Sequence, residues 1–179
     1  MNIGLIGYGY WGPNVAKNIF ANKKLQLHTI CDLKLERLEK ARNLYIEQSR
    51  YTMDYHDILD NPEIRAVAIA VETSAHYQVA KDALNAGKHV YIEKPFTSTV
   101  NEAEELASLA AEKNLIIHVD HIMLYHPCIQ KIGELIASGE LGELLYIEAM
   151  RMNLGQIKKD VSAMGDLAVH DLSIIDRWT

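Results

Sequence analysis

Three glycines near the start of the chain constrain its fold more than any other feature. They follow an apolar run from Ile3 to Ile6 and have the spacing GxGxxG, at Gly7, Gly9 and Gly12. Between a strand and a helix, the first glycine allows a sharp turn, the second lets the backbone approach a pyrophosphate, and the third lets the helix pack closely. Because glycines also recur in ordinary turns, the triplet alone is a weak indication of nucleotide binding.

The residues after the glycines strengthen this interpretation. A helical pattern begins at once, with Pro13 in the first turn, where proline is tolerated. Val15, Ala16, Ile19 and Phe20 then recur at helical spacing and are predicted to form one apolar face. The sequence therefore predicts a strand, a glycine turn and a helix whose N-terminus faces the bound anion.

An acidic residue ends the next predicted strand. Leu25 to Asp32 is an apolar run, and Asp32 follows the glycines at close to the spacing at which a carboxylate binds the ribose hydroxyls of NAD. The alternative is that Asp32 caps the helix that begins near Leu35. Lys34 and Arg37 can hold a 2′-phosphate, so we predict NAD as cofactor and keep NADP as an alternative.

Strand and helix patterns alternate from residue 1 to about residue 120. Ala66 to Val71, His89 to Ile92 and Leu115 to Val119 are apolar runs of strand length, separated by helical patterns. Uninterrupted apolar strands are typical of a parallel sheet that is buried on both faces. We predict an α/β fold with a Rossmann-type doubly wound sheet in residues 1–121, followed by an incomplete α+β domain in residues 122–179.

Polar residues follow two of the predicted strands where a doubly wound sheet binds its ligands. Thr73 and His76 come after the strand that ends at Val71, and Glu93 and Lys94 come after the strand that ends at Ile92. We expect these side chains to line a crevice at the carboxyl edge of the sheet. For Thr73 the alternative is a helix cap, which is the commoner role of threonine at such a position.

The pattern changes beyond Asp120. We predict a helix over Pro127 to Ala137, a half-exposed strand over Leu144 to Met152, a loop over Asn153 to Lys159 and a helix over Gly165 to Trp178. A lone strand and an unfinished helix do not enclose a core. We therefore expect that the chain is a shortened form of a longer protein or that another chain completes this domain.

Composition excludes several classes of protein. With 49% hydrophobic residues in 179, the chain can bury one good core, and its formal charge of −6 argues against nonspecific nucleic-acid binding. No apolar run approaches the ~20 residues that span a bilayer, and no signal peptide begins the chain, so we expect a soluble cytoplasmic protein. Cys31 and Cys128 lie far apart without a CxxC pair, and we predict two buried thiols.

Several stretches together resemble the Gfo/Idh/MocA family of NAD(P)-dependent sugar oxidoreductases. The stretches that carry the resemblance are GYGYWGPN from Gly7 to Asn14, the carboxylate Asp32, GKHVYIEKP from Gly87 to Pro95, the residues around Tyr125, His126, Pro127 and Gly139 to Gly142, and the D-x-x-x-H pair Asp166 and His170. The resemblance spans the chain in order. Members of the family are considerably longer than this chain. We therefore expect a complete substrate pocket and a homo-oligomer for a full-length protein.

The resemblance implies catalytic roles for three residues. Lys94 is similar to the family lysine that reaches the nicotinamide and the substrate hydroxyl, and Pro95 fixes its turn, often through a cis peptide. His170 matches the general base, and Asp166, on the same helix face, contacts substrate and histidine. The alternative is that Asp166 only caps the helix and His170 is only packed. A metal site formed by His118, Asp120, His121 and His126 is not predicted, because these residues do not share one face.

The resemblance also implies the cofactor contacts and the class of substrate. The predicted contacts with NAD are Gly7, Tyr8, Gly9, Tyr10, Trp11, Gly12, Asp32, Thr73, His76, Glu93 and Lys94. The residues from Arg151 through Asn153, Leu154 and Gly155 to the stretch DLAVHDLS favour nucleotide-linked sugars over free sugars or inositols. The predicted function is hydride transfer between NAD(H) and a sugar hydroxyl or ketone, and the alternative is an NAD-binding module without turnover of its own.

Overall fold

A computed structural model describes residues 1–45, 49–152, 162 and 164–179. The chain divides into two compact units, Met1–Val119 and Asp120–Thr179. Among the described residues, no helix combines the length and the apolar character that crossing a membrane requires.

The first unit is built on a six-stranded parallel sheet with the strand order β3-β2-β1-β4-β5-β6. This is the strand order of a Rossmann sheet. The direction in which successive strands are added to the sheet reverses between β1 and β4, which leaves a crevice at the carboxyl ends of these two parallel strands. The predicted fold class is confirmed. The strands are β1 (Asn2–Ile6), β2 (Gln26–Cys31), β3 (Arg50–Thr52), β4 (Ile64–Ile69), β5 (His89–Ile92) and β6 (Ile117–Val119).

Helices cover both faces of the sheet, and local signals set several of their ends. Thr99 and Glu102 form a reciprocal capping box at the start of α5, and Gly87 ends the turn after α4 with a φ of 73°. The helices are α1 (Gly12–Ala21), α2 (Leu35–Leu44), α3 (His56–Leu59), α4 (Thr73–Asn85) and α5 (Val100–Glu112).

Two apolar layers hold the sheet between the helices. Alternate residues of β1 and β4 point into different layers: Leu5 packs with α1 and α2, whereas Val67 and Ile69 pack with α3, α4 and α5. All three side chains are fully buried. Each such side chain contributes about 1.5–3 kcal/mol to folding, and their burial fixes the sheet whose carboxyl edge presents the site residues.

The second unit is mainly helical. A short 3-10 turn (Ile122–Tyr125) precedes α6 (Pro127–Ala137), and a π-helical turn (Met164–Ala168) leads into α7 (Val169–Trp178). Among the described residues of this unit, Ile174 is the only hydrophobic side chain that is buried. The helix that the sequence predicts over Gly165 to Trp178 is present in the structure, but its first turn has π geometry.

The predicted strand over Leu144 to Met152 is wrong. These residues have no regular secondary structure, and Leu145, Tyr146 and Met150 are each about four-fifths exposed. A strand needs a neighbouring strand for its backbone hydrogen bonds, and the described part of the second unit contains no strand with which this stretch could pair. The predicted loop from Asn153 to Lys159 lies outside the described residues.

The two cysteines occupy different environments. Cys31 is buried at the end of β2, and burial together with the nearby charge of Asp32 raises the pKa of its thiol to about 12. Cys128 is exposed in the first turn of α6, so the prediction of two buried thiols is wrong for this residue. The physical reason is that the second unit has too little core to cover the start of this helix.

We expect one reactive thiol in the native protein. Burial raises the pKa of the Cys31 thiol far above the pH of the assay and also keeps the reagent away from its sulfur. Ellman's reagent should therefore titrate one thiol per native chain and two after unfolding in guanidinium chloride, and Cys128→Ser should abolish the native reaction. Two thiols that react equally fast in the native protein would contradict the burial of Cys31.

Candidate functional site

The first glycine of the loop occupies a conformation that only glycine accepts easily. Gly7 has a φ of +97°, and its amide donates a 2.8 Å hydrogen bond to the carbonyl oxygen of Cys31 at the end of β2. A Cβ atom at this position would lie 2.5 Å from the carbonyl oxygen of Ala70, which follows β4. Gly7 therefore lies where the ends of β1, β2 and β4 meet.

The other two glycines differ in what surrounds them. A Cβ atom at Gly12 would collide with the carbonyl oxygen of Gly7, so this glycine allows α1 to begin against the turn. At Gly9 the nearest described atom to such a Cβ is Nη1 of Arg37, at 3.4 Å. Gly7 and Gly12 thus serve the packing of the protein itself, whereas the atoms nearest to a Cβ at Gly9 all belong to the flexible side chain of Arg37. Close approach of the backbone at the second glycine is what a pyrophosphate site requires.

The carboxylate of Asp32 is held by the glycine loop. Its Oδ2 accepts a 2.7 Å hydrogen bond from the amide of Tyr8, and its Oδ1 accepts a 2.8 Å bond from the amide of Lys34. Nη1 of Arg37 lies 3.2 Å from Oδ2. The N-cap of α2 is Lys34, so Asp32 does not have the alternative role of helix cap. The end of β2 and the glycine loop are thereby joined through one buried side chain.

The aromatic residues of the glycine loop point in different directions. The ring of Tyr8 is buried among the side chains between the sheet and α1, and burial raises the pKa of its hydroxyl to about 12. Tyr10 is 87% exposed and Trp11 37% exposed, and their rings stack with centroids 6.4 Å apart. Of these three predicted cofactor contacts, Tyr8 contributes its amide, which holds the carboxylate of Asp32. The rings of Tyr10 and Trp11 are exposed to solvent to the extents given above.

His76 connects the loops that follow β4 and β5. Its ring is 1% exposed, with Nδ1 2.8 Å from the carbonyl oxygen of Pro95 and Nε2 3.2 Å from that of Val71. Thr73 is the first residue of α4 and Glu72 is the N-cap, so the alternative role of Thr73 as the cap is wrong. The sequence indicated that His76 lies at this edge of the sheet, but only the structure shows that its ring faces the backbone.

Glu93 and Lys94 follow β5 directly. Glu93 is buried, and its amide donates a 3.1 Å hydrogen bond to the carbonyl oxygen of Ile69 at the end of β4. Lys94 is partly exposed and precedes a cis peptide bond to Pro95, as the family resemblance implied. The first unit therefore brings the ends of β1, β2, β4 and β5 and their polar residues to one edge of the sheet.

The second unit contains the other two candidate catalytic residues. Asp166 lies in the π-helical turn, where its amide donates a 2.9 Å hydrogen bond to the carbonyl oxygen of Ser162, and His170 lies in the first turn of α7. The sequence predicted that both residues lie on one regular α-helix. This is wrong, because Asp166 lies in the π-helical turn that precedes α7. The N-cap of α7 is Ala168, so Asp166 does not occupy the capping position either.

An ion pair that the sequence did not indicate involves Asp171, the residue after His170. Nε and Nη2 of Arg151 lie 2.9 and 2.7 Å from the carboxylate oxygens of Asp171. Hydrogen bonds from Arg151 hold the pKa of Asp171 below its ordinary value, and those to Asp171 raise the pKa of Arg151. The pair joins residues far apart in sequence, and no local pattern could have indicated it. In the described ranges, no three His, Cys, Asp or Glu side chains form a group that could hold a metal ion.

Comparison with known proteins identifies the family. Residues 1–121 match the Gfo/Idh/MocA family model, which describes an oxidoreductase family with an NAD-binding Rossmann fold. This chain belongs to the Gfo/Idh/MocA family. The match covers the whole parallel sheet and its helices, including the glycine loop, Asp32, His76 and Lys94. Residues 1–121 are thus the NAD-binding Rossmann domain of a family member.

Individual relatives extend the likeness beyond this domain. The chain is 32% identical over 175 residues to UDP-N-acetylglucosamine 3-dehydrogenase of Acidithiobacillus ferrooxidans, covering 97% of this chain and 53% of the relative. It is 25% identical over 181 residues to inositol 2-dehydrogenase of Salmonella typhimurium, covering 98% and 53%. The crystal structure of scyllo-inositol dehydrogenase from Lactobacillus casei superimposes with a TM-score of 0.82 at 21% identity, over 100% of this chain and 55% of the other. The chain thus spans about half the length of these relatives.

Proposed function

We propose that this chain provides the cofactor site and part of the catalytic machinery of a dehydrogenase or reductase that uses NAD(H), or alternatively NADP(H), on a sugar hydroxyl or ketone. The observation that carries the proposal is the position of Gly9, which only the side chain of Arg37 faces, together with the buried carboxylate of Asp32 that the glycine loop holds. This pairing suits a dinucleotide, because one element takes its pyrophosphate and the other takes its ribose hydroxyls. The amides at the start of α1 add a partial positive charge for the phosphates.

In this proposal the nicotinamide end of the cofactor lies at the ends of β4 and β5. Thr73 begins α4, and Glu93 and Lys94 follow β5, so these residues flank the crevice where the strand order reverses. The ring of His76 lies between the loops that follow β4 and β5, with one ring nitrogen close to a carbonyl oxygen of each loop. When bound, the nicotinamide supplies the hydride acceptor or donor of the reaction.

Three side chains act on the substrate in this proposal. The ammonium of Lys94 donates a hydrogen bond to the reacting oxygen and stabilises the negative charge that develops there. The imidazole of His170 takes the hydroxyl proton during oxidation and returns it during reduction, a task that suits an ordinary histidine near neutral pH. Asp166 orients the substrate and the histidine. The ion pair of Arg151 with Asp171 steadies the turn of α7 that carries His170.

The substrate class we favour is a nucleotide-linked sugar. The relative with 32% identity is a UDP-N-acetylglucosamine 3-dehydrogenase, and its similarity covers nearly all of this chain, including Arg151 and the D-x-x-x-H pair. An inositol is the second candidate, since inositol 2-dehydrogenase is also similar over 98% of the chain. Asn153, Leu154 and Gly155, on which the sequence-based preference for nucleotide sugars partly depends, lie outside the described residues.

A second candidate function is an NAD-binding module without turnover of its own. The observation that favours it is the length of the chain, which spans only 53% of the dehydrogenases to which it is similar. In this alternative Gly9 and Asp32 still bind the dinucleotide, whereas Lys94 and His170 convert no substrate.

The two functions are separated by measuring binding and turnover on the same preparation. Calorimetry should detect NAD+ or NADH binding, and absorbance at the NADH band should report turnover on a panel of UDP-N-acetylglucosamine, other UDP-sugars and myo-inositol. Binding with turnover on a UDP-sugar supports the proposed enzyme, and binding without any turnover supports the module. If neither NAD nor NADP binds, both functions are wrong.

A further inference from the structure

The ring of His76 contacts two separate stretches of backbone. His76 lies in the first turn of α4, and its side chain is buried. Nδ1 is 2.8 Å from the carbonyl oxygen of Pro95 in the loop that follows β5, and Nε2 is 3.2 Å from that of Val71 in the loop that follows β4. Both ring nitrogens therefore face backbone groups of the protein itself.

Lys94 is flanked by two backbone groups that are each held by another element. On one side, the amide of Glu93 donates a 3.1 Å hydrogen bond to the carbonyl oxygen of Ile69 at the end of β4. On the other side, the carbonyl group of Pro95 faces the ring of His76 in α4. Because a group that acts on a substrate must be held within about 0.5 Å of its productive position, both contacts bear directly on where Lys94 lies.

The shorter of the two ring contacts shows which nitrogen donates. A carbonyl oxygen can only accept, so the 2.8 Å contact with Pro95 requires a proton on Nδ1. In a neutral imidazole a single nitrogen carries the proton, and the hydrogen bonds of the ring determine which one it is. The arrangement therefore assigns His76 an Nδ1–H group that donates to the carbonyl oxygen of Pro95.

We propose that His76 is a positioning residue for Lys94. Its Nδ1–H group holds the carbonyl of Pro95, and its buried ring anchors that turn to α4. The inference rests on the proposed function, since the position of Lys94 affects turnover only if its ammonium acts on the reacting oxygen. A loop without this anchor samples other positions, and misplacing a catalytic group by about 1 Å can lower a rate about 100-fold.

Nitrogen NMR of the unmodified chain tests the hydrogen bond directly. Long-range 1H–15N correlation spectra at about pH 8, where an ordinary histidine is neutral, show which ring nitrogen of His76 carries a proton. We expect the proton on Nδ1. A proton on Nδ1 supports the inference whether or not Nε2 carries one as well, whereas Nδ1 without a proton overturns it. This measurement needs neither a variant nor turnover.

Two amide substitutions separate the roles of the two ring nitrogens. The side-chain nitrogen of asparagine is as many bonds from Cβ as Nδ1 of histidine, and that of glutamine as many as Nε2. His76→Asn therefore retains a donor for Pro95, whereas His76→Gln loses it. In hydrogen–deuterium exchange, we expect the amides of residues 93–97 to exchange more than about tenfold faster in His76→Gln, and within about threefold of the unmodified rate in His76→Asn.

The same two variants connect the turn to the chemistry of Lys94. On whichever sugar the unmodified chain converts, the kcat of His76→Gln should fall by more than about tenfold, while the Kd for NAD+ changes by less than about threefold. His76→Asn should recover most of the lost rate. A histidine that served stability alone would give two variants with equal kcat, and that result would overturn the inference.

A second buried histidine of the same unit is the matched control. His28 lies on β2, and its ring nitrogens are 2.8 Å from Oγ1 of Thr29 and 3.3 Å from Oε2 of Glu63, which belong to neither loop. His28→Gln should lower the free energy of unfolding and leave both kcat and the exchange of residues 93–97 unchanged. If it changes them as much as His76→Gln does, the inference is wrong.

The failure of the proposed function would look different. Absence of turnover by the unmodified chain on every sugar of the panel would overturn the proposed enzyme, and with it the effect of His76 on kcat. The position of the ring proton and the exchange rates would still decide whether His76 holds the turn that carries Lys94.

Discussion

Replacing Gly7 by alanine abolishes dinucleotide binding, with an expected rise of more than about 100-fold in the Kd for NAD+. A methyl group there would lie 2.5 Å from the carbonyl oxygen of Ala70 and 2.9 Å from Cγ1 of Val71. The φ of +97° is also strained for any residue that carries a Cβ atom. The loop must therefore shift away from the end of β4, and the amides that face the phosphates shift with it. Calorimetric titration with NAD+ measures the effect.

Two other glycines provide the controls for this prediction. Gly87 has a φ of +73°, but no described atom lies within 4 Å of the position that a methyl group would take there, so Gly87→Ala should cost some stability and leave NAD+ binding unchanged. Gly9→Ala should fold normally, because its methyl group would only touch Arg37, and should still weaken binding by obstructing the pyrophosphate. If the Kd of Gly7→Ala for NAD+ lies within tenfold of that of the unmodified chain, the role assigned to the loop is wrong.

Replacing Lys94 by alanine lowers turnover by about 10²–10³-fold on whichever sugar of the panel the unmodified chain converts. The ammonium is proposed to stabilise the charge that develops on the reacting oxygen, and alanine has no group that can do so. The Kd for NAD+ should change by less than about threefold, because the proposed pyrophosphate and ribose contacts are those of Gly9 and Asp32 rather than Lys94. Initial rates of NADH formation, combined with calorimetry, give both quantities.

The control for Lys94 is an exposed lysine of the same unit. Lys113 is the exposed residue that follows α5 as its C-cap, and Lys113→Ala should leave both turnover and NAD+ affinity unchanged. Turnover by Lys94→Ala within tenfold of the unmodified chain, about 1.4 kcal/mol of barrier, would refute the assigned role. Loss of turnover together with equal loss of NAD+ affinity would show that Lys94 supports the cofactor rather than the chemistry.

The sequence predicted the first unit well because its signals are local. The predicted bounds of β5 agree residue for residue with the structure, and α2 begins at Leu35, near which the sequence placed its start. Alternating strands and helices of this kind have few ways to pack, so correct elements led to the correct sheet. The stretch from Leu144 to Met152 shows the limit, because apolar alternation makes a strand only where a neighbouring strand is available.

Side-chain partners were the least predictable part of the site. The motifs named Asp32, His76 and Lys94, but they did not indicate that the ring of His76 faces two carbonyl oxygens. They also gave no sign of the ion pair between Arg151 and Asp171. Such partners come from separate elements, and their distances depend on how those elements pack.

The glycine spacing and the carboxylate of Asp32 indicated a dinucleotide site, because turn geometry and anion binding favour those residue types at that spacing. Only the tertiary structure decided what surrounds these residues. Backbone atoms close the space around Gly7 and Gly12, and Arg37 of α2 lies beside both Gly9 and Asp32. The sequence states which groups are present, whereas the distance between two groups is fixed only when the whole core packs.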